Sequence, residues 1–135
     1  MAVTKQFPKS VPILEDTDFV KGALTYSACE AIGAKKVCRH CTMGWMREAF
    51  LTGPAKKNFD ENEIWKALPS PVRKALIWSF ETVFGPAGGS YPSANPKVNP
   101  CGYIVGLNDR QDTSPVELAT AWNMMRRFLG YVVEY

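Results

Sequence analysis

Apolar side chains recur three and four positions apart in five stretches of the chain, and that period marks amphipathic helices. In the first stretch Phe19, Val20, Ala23, Leu24, Ala28, Ala31 and Ile32 fall on one face. Asp16 or Thr17 stands where a cap belongs and Gly33 where a helix stops, so a helix is expected from 16 to 32. The second stretch runs from Cys41 to Leu51, with Met43, Met46 and Phe50 on one side, Trp45 and Ala49 beside them, and Gly53-Pro54 after it. The third opens at Asn58 with Asp60, Glu61 and Glu63, acids that suit the positive end of a helix dipole, and carries Trp65 and Leu68. Ser70-Pro71 starts the fourth, which holds Val72, Leu76, Phe80 and Val83 and stops at Gly85-Pro86. The fifth has the most specific signal: Ser114-Pro-Val-Glu117 is a capping box with proline at the first helical position. Leu118, Trp122, Met125 and Leu129 follow on one face, and Gly130 ends it.

The segments between these helices lack the period. Residues 1–15, with Pro8 and Pro12, read as an extended arm laid on the body. Residues 85–102 hold four glycines and four prolines and read as one long loop. Unpatterned loops of that length are uncommon in compact domains, and those that are ordered tend to serve function. Tyr91 and Cys101 give this one anchors, and an ordered loop is expected. Tyr103-Ile-Val105 reads as a short strand, and the tail Tyr131–Tyr135 either pairs with it or continues the last helix. No internal repeat is visible. The expected fold is mainly α: a single domain spanning 1–135, a small helical bundle of four to five helices with one or two short β-strands.

Composition adds modest constraints. A chain of 135 residues buries a hydrophobic core without disulfides, and 46% hydrophobic with 21% charged residues is ordinary for a globular protein. There is no apolar run long enough to span a bilayer and no signal-peptide core at the N-terminus, so a cytoplasmic chain with no membrane partner is expected. The net charge is +3, unevenly placed. Residues 35–57 hold Lys35, Lys36, Arg39, Arg47, Lys56 and Lys57 against Glu48 alone. Such a block suits an acidic protein face or nucleic acid, although a solvated surface is its commonest use.

The most chemical stretch is Cys38-Arg39-His40-Cys41. A Cys-x-x-Cys pair commonly supplies two ligands of a structural zinc site, which needs four. Cys29, Cys38, Cys41 and Cys101 form the candidate ligand set, with His40, the only histidine, as a substitute, so zinc is the one cofactor this set would take. The same spacing at a helix start is also a redox motif, but thioredoxin-like enzymes place it after a strand, and here a helix is expected before it. The favoured reading is that the cysteines are thiols acting as small buried apolar side chains. No catalytic constellation appears. A triad would rest on His40, whose cationic neighbours disfavour a general base, and Gly88-Gly89 is too little for a phosphate loop. Asn108-Asp109 is a polar pair that makes a turn more often than a cleft. Trp45, Trp65, Trp78 and Trp122 fit helical core spacing.

Two segments carry a resemblance. Cys41-Thr-Met-Gly44-Trp-Met-Arg-Glu-Ala49 has the form Cys-x-x-Gly-x-x-x-x-Ala, and Leu107-Asn108-Asp109 precedes the capped run Thr113–Ala119. Together they resemble a family of small uncharacterised proteins of phages and bacteria, over about two thirds of the chain. The long proline/glycine loop and Cys38 depart from that pattern. The resemblance implies a phage or bacterial setting and no particular chemistry. The expected function is therefore docking on a host protein or nucleic acid through Lys35, Lys36, Arg39, Arg47, Lys56, Lys57 and Tyr91. The alternative is a small-ligand or enzyme pocket beneath 85–102, using Cys101, Asn108 and Asp109.

Overall fold

Five α-helices and one two-stranded antiparallel sheet make up the residues described by the computed structural model, which are 8, 10–21, 27–57, 60–85 and 96–131. In chain order these are strands β1 (Ser27–Ile32) and β2 (Lys35–His40), then helices α1 (Thr42–Phe50), α2 (Glu61–Ala67), α3 (Ser70–Phe84), α4 (Pro100–Asp109) and α5 (Pro115–Phe128). Single 3-10 turns lie at Asp16–Asp18 and Gly53–Lys57. The fold is mainly α.

Four of the five helices expected from the period are present, and their caps explain where they begin. Asp60 Oδ1 accepts from the amides of Asn62 and Glu63 at 2.8 and 3.3 Å to start α2. Ser114 Oγ accepts from the Glu117 amide at 3.2 Å while Glu117 Oε1 accepts from the Ser114 amide at 3.0 Å, so the capping box closes in both directions. At α3 the helix begins one residue earlier than expected, with Pro69 as the cap residue and Ser70 already helical, so Pro71 falls at the second helical position.

Two expectations are overturned. No helix runs from 16 to 32: a 3-10 turn occupies 16–18, and residues 27–32 form β1, paired with β2 in the register Ile32↔Lys35, Cys29↔Cys38 and Ser27↔His40. Residues 35–40, expected as a basic turn, are the second strand. Gly33 is the pivot of the difference. Its φ of 61° lies in the left-handed region, which serves a helix stop and a two-residue hairpin turn equally well. The strand expected at Tyr103–Val105 is instead the middle of α4. Asn99-Pro100 repeats the Ser-Pro start signal, with Asn99 Oδ1 accepting from the Gly102 amide at 3.0 Å, and it overrides the β preference of Tyr-Ile-Val. The loop of 85–102 therefore ends early, in a turn at 96–98, and residues 86–95, Tyr91 among them, lie outside the described residues. The tail loses its expected strand partner at 103–105, and residues 132–135 also lie outside.

The core is one contiguous cluster in which Trp122, Tyr103, Phe80, Met43, Met46 and Ile64 are fully enclosed. Helices α3 and α5 pack most extensively on each other, and α1 lies against α2 and α4. Trp78 departs from the expected core spacing: it is 44% exposed and stacks on Phe128 of α5 with ring centroids 4.5 Å apart. The described part of the N-terminal arm runs along α5 and is tied to it by side chains. Arg126 Nε donates to Val11 O at 2.6 Å and Trp122 Nε1 to Pro12 O at 2.8 Å. The Asn123 amide exchanges a pair of bonds with the Leu14 backbone.

Candidate functional site

The β1–β2 hairpin and the joint that holds it form the most distinctive surface. Strand alternation sorts its side chains into two faces. Cys29, Ala31, Lys36, Cys38 and His40 share one; Ala28, Glu30, Ile32, Lys35, Val37 and Arg39 share the other. Beyond their own pairing the strands meet the body chiefly where β2 ends. There the Val20 amide donates to His40 O at 3.1 Å, and Phe19 forms a single parallel bridge with His40. Towards the turn both faces are open. Ile32 is 59% and Val37 40% exposed, and Lys35 and Lys36 are exposed beside them. Arg39 reaches diagonally to Glu30 at 3.4 Å, an exposed pair worth little on its own. A disulfide joins Cys29 to Cys38, the directly opposed pair at the middle of the ladder.

The joint is built from buried polar groups. Asn108, in the last turn of α4, accepts at Oδ1 from the Thr42 amide at 2.9 Å and from Thr42 Oγ1 at 2.6 Å. Its Nδ2 donates to Asp109 Oδ1 at 3.0 Å and to Val20 O at 3.4 Å. One amide thereby fixes the first residue of α1, the segment before β1 and the end of α4. Lys21 Nζ donates to the carbonyls of Arg110 and Thr113, closing the α4–α5 connection. Trp45 Nε1 donates to Asp18 O at 2.8 Å, and the His40 ring stands edge-on to Trp45, centroids 4.6 Å apart. His40 is 6% exposed, and its Nδ1 has no hydrogen-bond partner among the described residues. Burial holds its pKa below the usual 6.5; the Glu48 carboxylate works against that shift and the Arg47 guanidinium adds to it.

The six cations expected to act together do not share a surface. Lys35, Lys36 and Arg39 are on the hairpin. Arg47 is 3% exposed, inside α1's buried side, and drops out as a contact residue. Lys56 and Lys57 sit in the 3-10 turn beyond the far end of α1, where Lys56 pairs with Glu48 at 3.3 Å. The nine residues of α1 put about 13 Å between its ends.

The cysteines divide in the same way. Cys29 and Cys38 are bonded to each other, which corrects the expectation that all four are thiols. Cys41 caps α1, its Sγ accepting from the Gly44 amide at 3.4 Å. Cys101, in the first turn of α4, donates to Glu61 O at 3.4 Å. Burial pushes its thiol up to about 12, with the Glu61 and Asp60 carboxylates adding to the effect. The Cys-x-x-Cys spacing does not make the bonded pair, although a strand does precede Cys41. Among the described residues no group of three or more His, Cys, Asp or Glu is placed to hold a metal ion. The residues of the alternative pocket also separate: Cys101 and Asn108 stand at opposite ends of α4, about 10 Å apart along its axis. Among the described residues no helix is long and apolar enough to cross a membrane.

Comparison with family models, with curated proteins and with solved structures finds no match. The hairpin itself was missed in the sequence. Its signal was the two-residue Gly33-Ala34 turn between Ile32 and Lys35, flanked by cysteines equidistant from it.

Proposed function

We propose that the protein is a docking protein, its helices packed as a small bundle that presents the β1–β2 hairpin to an acidic surface of a partner protein. The observation that carries this reading is that, among the described residues, the hairpin meets the body chiefly at one end, with Ile32, Val37 and Lys35 exposed together on one face. A protein partner fits that face better than nucleic acid does. That face carries two cations, Lys35 and Arg39, beside one carboxylate, Glu30, which is little charge for a phosphate backbone whose binding scales with the charges it neutralises. Exposed Ile32 and Val37 have nothing to gain from phosphates but bury readily at a protein interface, with the cations at its rim. The resemblance noted above makes a phage or bacterial host the setting of this proposal.

The test is capture from a host-cell extract with the full chain and with an Ile32→Ser/Lys35→Glu variant that keeps the wild-type melting temperature. The expected result is a protein captured by the wild type and lost with the variant. Undiminished capture by the variant overturns the hairpin's role. Binding of DNA or RNA whose affinity falls steeply with salt replaces the protein partner with nucleic acid.

A further inference from the structure

The hairpin carries a bond that the docking reading does not use. Most structural disulfides in compact domains are shielded by the core, whereas Cys29–Cys38 lies on a two-stranded ribbon away from it. Its two sulfurs are not equivalent. Cys29 is exposed and Cys38 half-buried, so an approaching reagent meets Cys29 first. Lys36 lies on the same face as the disulfide, two residues from Cys38 along the strand, about 7 Å, and diagonally across from Cys29 at a similar distance. An ammonium group there favours negative charge on the departing sulfur, and thiol–disulfide exchange runs faster when that sulfur is the better stabilised thiolate. Access therefore selects the direction of attack, and charge speeds it.

We infer that Cys29–Cys38 is a thiol-exchange site, at which a small dissolved thiol attacks Cys29 and expels Cys38. The incoming thiolate forms a bond to Cys29 Sγ, the Cys29–Cys38 bond breaks, and its electron pair leaves on Cys38 Sγ, which takes up a proton from water. The product is a mixed disulfide at Cys29 and a thiol at Cys38, with no net oxidation or reduction. A second molecule of the thiol resolves the mixed disulfide, leaving Cys29 reduced and the small thiol oxidised to its own dimer. Both strands are then held by the ladder alone, and an isolated two-stranded ribbon is marginally stable in water. The inference does not depend on what the hairpin docks against, since its readout is chemistry on the isolated protein.

The experiment exposes the native oxidised chain, its disulfide verified by mass, to limiting glutathione. Acid quenching and alkylation with N-ethylmaleimide in denaturant follow. Trypsin cleavage after Lys21, Lys35, Lys36, Arg39 and Arg47 places Cys29, Cys38 and Cys41 on three separate peptides. The expected result is glutathione on the Cys29 peptide and maleimide on the Cys38 peptide. Lys36→Gln should slow the exchange by up to about threefold, the effect of one charge roughly 7 Å away in water. Three results overturn the inference: glutathione on the Cys38 peptide, an unchanged rate in Lys36→Gln, or a disulfide that yields to glutathione only in urea.

Discussion

Replacing Asn108 with alanine tests the joint on which the hairpin's placement depends. The substitution removes one acceptor that serves two donors of Thr42, its amide at 2.9 Å and its hydroxyl at 2.6 Å, as well as the donor to Val20 O. Asn108 and Thr42 are both buried, so water cannot take the place of the lost oxygen without disturbing the packing. Each lost bond is worth about 1 kcal/mol, and a buried amide left without a partner adds about 1–3 kcal/mol. The hydroxyl can rotate towards another acceptor, so the amide bears most of that second cost. The two Thr42 bonds and the orphaned amide sum to a loss of about 3–5 kcal/mol, the long bond to Val20 O adding little, equivalent to a fall in melting temperature on the order of 10–15 °C for a chain of this size. Urea unfolding followed by circular dichroism measures it. Thr42→Val removes the hydroxyl alone, and the double variant should be less destabilised than the sum of the singles by about 1 kcal/mol, because the hydroxyl bond is then lost once rather than twice. A loss under about 1 kcal/mol for Asn108→Ala, or strict additivity in the cycle, would refute the clamp.

Two further outcomes follow from buried titratable groups. His40 is held neutral by burial, so the unfolded chain takes up its proton first as pH falls. Its contribution to stability is complete above the usual 6.5 of the unfolded chain and is lost as pH drops from there towards the lower folded pKa. Melting temperatures from neutral to mildly acidic pH should therefore fall more steeply for the wild type than for His40→Gln, and parallel curves count against the buried ring. Cys101, with its thiol pushed up to about 12, should resist iodoacetamide in the native state at mildly alkaline pH and react at once in urea. Equal native and denatured rates would mean the thiol is not enclosed.

Most of the helical scaffold was legible because capping chemistry is local. Asp60, Ser114 and Glu117 satisfy backbone amides within three residues of themselves, and nothing distant is needed to read them. What failed depended on a choice between local signals. Phe19, Ala23 and Ile32 fit a helical period, but period alone does not reveal that residues 27–32 can be paired by a strand that follows at once through Gly33. Tyr103-Ile-Val105 looks like a strand until Asn99 is recognised as a cap. The candidate site suffered most, because its parts converge only in space. The Asn108–Thr42 bond joins residues 66 apart, and Lys21 reaches carbonyls about 90 residues on. The objection to redox chemistry, that a helix precedes Cys41, falls with that helix. The pairing of Cys38 with Cys29 then supplies a different disulfide from the one the Cys-x-x-Cys spacing suggests.

Charge read along the chain misled for a related reason. Six cations within 23 residues look like one patch, yet α1 intervenes, burying Arg47 and carrying Lys56 and Lys57 to its far end. What remains at the hairpin is divided again by the pleat. Lys36 lies with the disulfide, while Lys35 lies with Ile32, Val37 and the Arg39–Glu30 pair. The face suited to docking is thus the reverse of the face suited to thiol exchange, and the two can be perturbed separately. Lys36→Gln acts on the disulfide side and leaves the apolar side intact; Ile32→Ser does the opposite. Communication between the faces is confined to the backbone they share, and glutathione reaches exposed Cys29 while the ladder is closed, so a partner on the docking side should leave the rate of exchange unchanged. Ile32→Ser should likewise abolish docking and leave that rate as it is, because every atom around the sulfurs is unchanged.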